Sequence, residues 1–167
     1  MTMVAILENI RSMHNVGSIL RTADAAGFEK VYLAGFTPPP TPELRRARVQ
    51  VTKVSLGAEE SVAWEKVRSV VRLIARLRRA GYAVYALEQG ADSLSYDAVS
   101  GLGEKIALIV GNEVSGVEEK TLARVDGRIE IPMYGKKESL NVAVAFGIAA
   151  FALRRAAGSR GTLSSHE

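Results

Sequence analysis

Residues 106–116 read IALIVGNEVSG: five consecutive apolar residues, Ile106 to Val110, run straight into a polar loop bounded by Gly111 and Gly116. A strand with no polar alternation has no solvent side, so this one is expected at the centre of a sheet covered on both faces. Moving back from it, Ala83 to Leu87, Val31 to Ala34 and Met3 to Leu7 read as three further strands. Between them, Val16, Ile19, Leu20 and Ala23 fall at i, i+3, i+4, i+7, the spacing of an amphipathic helix, with Asn15 placed to cap it and Gly27 to end it. Lys66 to Ala80 reads as a second helix, apolar at Val67, Val70, Val71 and Ile74, with Gly81 as its stop. After the Thr37-Pro38-Pro39-Pro40 breaker, Thr41 and Pro42 have the form of an N-cap and first helical residue. Moving forward, Ser115 and Glu118 have capping-box spacing for a helix toward Arg124, and Arg128 to Ile131 is a fifth short strand. The final helix is expected from Leu140 to Arg155. Strands alternating with helices imply an α/β fold with a mostly parallel sheet and helices on both faces.

Composition fits one such unit. The chain has 167 residues, 47% of them hydrophobic, and no cysteine. It is therefore neither a disordered tail nor a disulfide-stapled miniprotein, and two histidines without cysteine leave little for a metal site. Residues 1–157 are expected to form one domain, and 158–167 a disordered tail. Glu8 and Arg11 interrupt the first apolar run too early for a signal peptide, and no stretch approaches the ~18 apolar residues of a membrane span. A cytoplasmic location without membrane contact is the corresponding expectation.

The net charge of +4 and isoelectric point of about 9.5 point only weakly to a polyanionic partner. Their distribution says more: Thr41 to Ala80 holds ten Lys/Arg against four Asp/Glu, so the basic character sits in one quarter of the chain. The last helix carries a different message. Leu140, Val142, Val144, Phe146, Ile148, Phe151 and Leu153, with five alanines between 143 and 152, leave it without a polar face. A helix apolar all round has to be covered all round, and a second subunit is the expected cover.

Generic motifs give little. Gly111 to Gly116 has phosphate-loop spacing, but Val117-Glu118 stands where that motif needs Lys and Ser/Thr. There is no G-x-G-x-x-G after the first strand and no G-x-S-x-G elbow. Three polar clusters remain. In Asn9 to Arg21, Gly17, Ser18 and Arg21 share a helix face that could dock a phosphate; equally, Asn15 could merely cap and Arg21 pair with Asp24. In Gly111 to Gly116, Glu113 has no evident structural task. In Ile131 to Asn141, a polar loop enters the most apolar helix of the chain, and Asn141 there implies either a ligand-wrapping loop or a helix cap.

Taken together, NIRSMHNVGSILRTADAAG (9–27), ALIVGNEVSGV (107–117) and IPMYGKKESLNVAVA (131–145) resemble the three motifs of the SpoU (TrmH-like) RNA 2′-O-ribose methyltransferases of the SPOUT superfamily. Val54 to Glu59 with Trp64 is similar to the segment linking the motifs, and the resemblance spans roughly residues 3 to 155. It implies a SPOUT-type sheet whose C-terminal part is tied in a deep trefoil knot, S-adenosylmethionine as cofactor, no metal, and a homodimer formed through the C-terminal helix. Carried over by position, the catalytic set is Arg21, Asn15, Glu113, Ser139 and Asn141. The cofactor positions are Leu87, Gly111, Ile131, Met133, Ser139 and Leu140.

The implied reaction moves a methyl group to a ribose 2′-hydroxyl of tRNA or rRNA. Arg21 would hold a phosphate or stabilise the developing alkoxide, since a guanidinium keeps its proton and is a poor base. Asn15 and Ser139 would fix Arg21, and Glu113 would orient Arg21 or Asn141. Arg45, Arg46 and Arg48 are the preferred RNA contacts; the stripe of Arg68, Arg72, Arg76 and Arg79 reads as a solvated face or a second grip. Two alternatives stand beside this reading: a base-directed RNA methyltransferase of the same fold, and a catalytically inactive RNA-binding module. The chain also shows no separate N-terminal RNA-binding domain, so substrate choice is expected to come from the dimer surface or a partner.

Overall fold

The computed structural model describes residues 1–40 and 62–158. Thr41-Pro42, Arg45, Arg46, Arg48, the linking segment 54–59 and the tail from 159 onward lie outside the described residues. The elements, in order, are β1 (Thr2–Glu8), α1 (Met13–Ala25), β2 (Lys30–Ala34), β3 (Ala63–Val67), α2 (Val70–Arg79), β4 (Ala83–Leu87), β5 (Ser93–Ser95), β6 (Lys105–Val110), α3 (Glu119–Leu122), β7 (Gly127–Glu130) and α4 (Val142–Gly158).

The strands form one sheet in the order β3-β2-β1-β6-β4-β7-β5, and every pairing is parallel. The apolar strand β6 lies between β1 and β4, with Met3 opposite Ile106 and Ala83 opposite Ile106 on its other side. All of Ile106 to Val110 is buried. One face of the sheet packs under α1 and α4, where the rings of Phe28 and Phe146 meet at 5.3 Å. The other face is covered by α2, whose Val70, Leu73, Ile74 and Leu77 pack on Val4, Ile6, Val84 and Ile109. Because all strands point the same way, the loops after β1, β4, β6 and β7 emerge at one edge.

Several local expectations are corrected. Ser12, not Asn15, caps α1: its hydroxyl accepts from the Asn15 N–H at 3.3 Å, which frees the Asn15 side chain. Gly27 follows the helix end with φ 70°, as a terminating glycine should. The helix expected from Lys66 begins at Val70, because Ala63 to Val67 instead pairs with β2 as the edge strand. Its Glu65 and Lys66 are the charged residues that protect a sheet edge, and they mask its strand character. The Ser115–Glu118 capping box is absent. The Ser115 N–H donates to Asn112 Oδ1 at 3.1 Å, and α3 is a single turn capped by no side chain. The polar strand β5 was not anticipated. Gly158, expected in the tail, ends α4.

On α4, Phe146, Ala149, Ala150 and Leu153 are buried, whereas Val144 and Phe151 are each 52% exposed. One subunit therefore covers one side of this apolar helix. No helix among the described residues is long and apolar enough to cross a membrane.

Candidate active site

Three loops far apart in sequence are tied together at the C-terminal edge of the sheet, and Glu113 is the central tie. Its Oε2 accepts from the Arg11 N–H at 3.0 Å. Its Oε1 accepts from the Ser12 N–H at 3.0 Å and from Asn15 Nδ2 at 2.9 Å. Asn15, only 6% exposed, then accepts at Oδ1 from Asn141 Nδ2 at 3.1 Å. Asn141 Oδ1 accepts in turn from the Ala143 and Val144 N–H groups, at 2.9 and 3.3 Å, and so caps α4. Every amide atom in this relay has a partner, which fixes both asparagine orientations. Burial alone would raise the pKa of Glu113, but the Arg11 and Ser12 N–H groups and Asn15 outweigh it and hold the carboxyl below the ordinary range.

A second brace lies behind the first. Asn112 Nδ2 donates to the Asn9 carbonyl at 2.8 Å, and the Asn112 backbone closes a tight loop by pairing with Gly116. A Cβ on Gly111 would stand 2.2 Å from the Gly116 carbonyl carbon and 2.3 Å from the Val117 nitrogen, so only glycine permits this closure. Asn9 is left-handed, with φ 57°; its Nδ2 donates to Glu118 Oε1 at 2.6 Å and its Oδ1 accepts from the Phe36 N–H at 3.2 Å. Glu8 is buried and accepts from the Glu118 N–H at 3.0 Å and Thr121 Oγ1 at 2.6 Å; its burial pushes the carboxyl pKa up.

These braces frame a cleft of about 180 Å³ that opens to solvent. Leu87, Gly111, Ile131, Met133, Ser139 and Leu140, all expected at a cofactor site, line it, and Glu113 stands at its wall. Glu88, Gln89 and Glu130 also line it and were not anticipated. Gln89 Nε2 donates to the Glu138 carbonyl at 2.7 Å, linking the β4 loop to the loop before α4. Glu88 Oε2 accepts from the Val117 N–H at 3.0 Å. A polar residue just past the end of a parallel strand was the available signal for Glu88 and Gln89, whereas Glu130 is itself the last residue of β7.

Arg21 is placed differently from the expectation. It is exposed on α1 and makes no hydrogen bond or ion pair with Asn15, Glu113, Ser139 or any other described residue, Asp24 included. Glu113 therefore orients Asn15 and, through it, Asn141, rather than Arg21.

Comparison with known proteins gives a consistent picture. Residues 2–151 match the SpoU rRNA Methylase family. The chain is 35% identical over 148 residues to the 23S rRNA (guanosine-2′-O-)-methyltransferase RlmB of Escherichia coli K12, covering 87% of this chain and 57% of that protein. It is 30% identical over 162 residues to the tRNA (guanosine(18)-2′-O)-methyltransferase of Aquifex aeolicus, covering 97% of this chain and 73% of the relative. Its backbone superposes on the AdoMet-bound rRNA methyltransferase of Sinorhizobium meliloti with a TM-score of 0.80 at 28% identity, over 92% of this chain and 56% of that one. The chain thus spans little more than half the length of several relatives that it matches.

Proposed function

Because the chain belongs to the SpoU rRNA Methylase family, we propose that it is an S-adenosylmethionine-dependent enzyme that methylates a ribose 2′-hydroxyl of tRNA or rRNA. The observation that carries this reading is the cleft itself. Motif residues from three separate stretches converge on it through unbroken hydrogen bonds, and the expected cofactor positions form its wall.

The lining suits that cofactor. Leu87, Ile131, Met133 and Leu140 offer apolar surface for a purine ring, and Gln89 and Ser139 offer polar partners. Glu88, Glu113 and Glu130 contribute carboxylates, and no Lys or Arg is among the described lining residues, which matches a ligand of net positive charge. When bound, the cofactor supplies a methyl group already activated on a sulfonium. The protein's tasks are then alignment and management of the hydroxyl proton.

In this reading Glu113 is a positioning residue. Its carboxylate is occupied by three N–H donors and held ionised, which leaves it poorly placed to accept the ribose proton. Asn15 and Asn141 transmit that positioning to the start of α4 and the loop before it. Arg21, charged and unengaged, takes a target phosphate or the developing alkoxide. A homodimer closing on Val144 and Phe151 would cover the exposed side of α4. Since α1 packs on α4, it would also bring Arg21 toward the seam between subunits. The chain passes from β6 over β4 to β7, which lies between β4 and β5, and we read this crossover as part of the family's trefoil knot. We read residues 1–157 as one catalytic domain, acting in the cytoplasm.

Calorimetric titration of the full chain with S-adenosylmethionine tests the first step. Saturable binding with one site per chain is expected; no binding would instead favour an inactive RNA-binding module.

A further inference from the structure

The arginines of α2 and the turn before it form a stripe in sequence, but the structure divides them. Arg76 donates from both Nη1 and Nη2 to Glu65 Oε1 at 3.0 Å and lies over the Tyr32 ring at 5.3 Å. Arg78 is paired with Asp126 at 2.5 Å. Arg79 is exposed at the far end of α2, away from the active-site edge. Arg68 and Arg72, exposed where β3 turns into α2, have no partner among the described residues.

Among the described residues, the carboxylates around these two are already committed. Glu65 is taken by Lys30 and Arg76. Glu118 is taken by Lys120 and Asn9, and Glu8 is buried. Lys66 adds a further cation at this corner, its Nζ donating to the Gly35 and Thr37 carbonyls at 2.5 and 2.6 Å. A groove lined by Arg68, Ser69, Gly35, Asn9, Lys120 and the carboxylates of Glu8 and Glu118 runs from the start of α2 to Asn9, just after β1, and its Lys120 is paired with Glu118. Beside it stands Phe36, 59% exposed, with its N–H pinned by Asn9. Arginines with no partner among the described residues, beside an exposed aromatic side chain whose backbone is pinned, are what backbone phosphates and an unstacked base require.

We infer that this corner is the track for an unpaired stretch of substrate RNA, with Arg68 and Arg72 on backbone phosphates and Phe36 stacking one base. The inference rests on the RNA-directed reading above and assigns the grip to a surface opposite α1 and contiguous with the loop from Asn9 to Ser12. Phosphate contacts supply affinity without sequence information, so any unpaired RNA reports them.

The test is fluorescence anisotropy of the full chain with fluorescein-labelled oligouridine and with bulk tRNA, between about 50 and 200 mM salt. Arg68→Ala/Arg72→Ala should weaken binding by about tenfold at the lower salt. It should also make the slope of log K against log salt shallower by about 1.4, or roughly 0.7 per lost phosphate contact on a single strand. Phe36→Ala should lose at least about fivefold with an unchanged slope, and Arg79→Ala should match the wild type. Wild-type affinity and slope in both the double variant and Phe36→Ala would overturn the inference while leaving RNA as the substrate. Failure of the wild type to bind either RNA would overturn the RNA reading and this inference with it.

Discussion

Glu113 Oε1 accepts a hydrogen bond from Asn15 Nδ2 at 2.9 Å, across 98 positions of sequence. This contact binds the loop after the central strand β6 to the first turn of α1, and Asn15 extends it to the start of α4. One carboxylate therefore joins three of the segments that frame the cleft.

Glu113→Gln replaces an acceptor-only carboxylate with an amide whose NH₂ cannot accept from Arg11, Ser12 or Asn15. A loss of about 2 kcal/mol is expected, the usual scale for hydrogen bonds to a charged group, read as a lowered chemical-denaturation midpoint. The pH dependence has a definite sign. The Glu113 pKa is depressed in the folded state, so its contribution is present above the unfolded carboxyl pKa and is lost as pH falls through the folded value. Denaturation midpoints across the acid range should show this loss in the wild type, and its amplitude should shrink in Glu113→Gln.

Asn141 does two things that can be separated. Asn141→Ala removes the cap of α4 and the donor to Asn15 together, and should cost about 1 kcal/mol from the cap alone. Asn141→Asp keeps the capping oxygen but presents a carboxylate to Asn15 Oδ1. Its helix should be retained by circular dichroism while S-adenosylmethionine affinity falls. Equal cofactor affinity in the wild type and Asn141→Asp would remove Asn141 from the positioning relay.

Arg21→Ala should leave stability within about 0.5 kcal/mol, because the side chain is exposed and engages no described residue. Methyl transfer to RNA should nonetheless fall by about a hundredfold or more, with calorimetric cofactor binding unchanged. Thermal denaturation, calorimetry and a labelled-methyl assay on one preparation distinguish this from a folding defect.

The exposed apolar residues of α4 give a fourth expectation. Phe151→Lys combined with Val144→Lys places two charges on the face assigned to the dimer. Sedimentation should show a dimer for the wild type and a monomer for the variant, because a charge buried without a partner at an interface is costly. A monomeric wild type would return α4 to a single-subunit account.

Legibility followed the length and purity of each signal. Ile106 to Val110 announced a central strand because nothing polar interrupts it, and it lies at the heart of the sheet. Ala63 to Val67 did not, because Glu65 and Lys66 serve an edge strand and continue smoothly into the apolar spacing of α2. Ser93 to Ser95 carries no apolar pattern at all. At the start of α1, Ser12 and Asn15 are both good capping residues, and only a carboxylate from the β6 loop decides between them. The cleft wall was readable where motif residues form it. Glu88 and Gln89 escaped because a polar residue after a strand looks the same whether it faces a ligand or solvent, and Glu130 because it sits within a short strand. Arg21 was readable as a residue but not in its setting, which depends on the packing of α1 against α4.

The central claim is tested most directly by the position of the methyl group. The full chain would be incubated with S-adenosylmethionine and unmodified tRNA or rRNA, the RNA digested to nucleosides, and the products fragmented by mass spectrometry. The account predicts a nucleoside carrying the added methyl on ribose, absent when Arg21→Ala replaces the wild type. A methyl group on the base, or ribose methylation undiminished in Arg21→Ala, would contradict it.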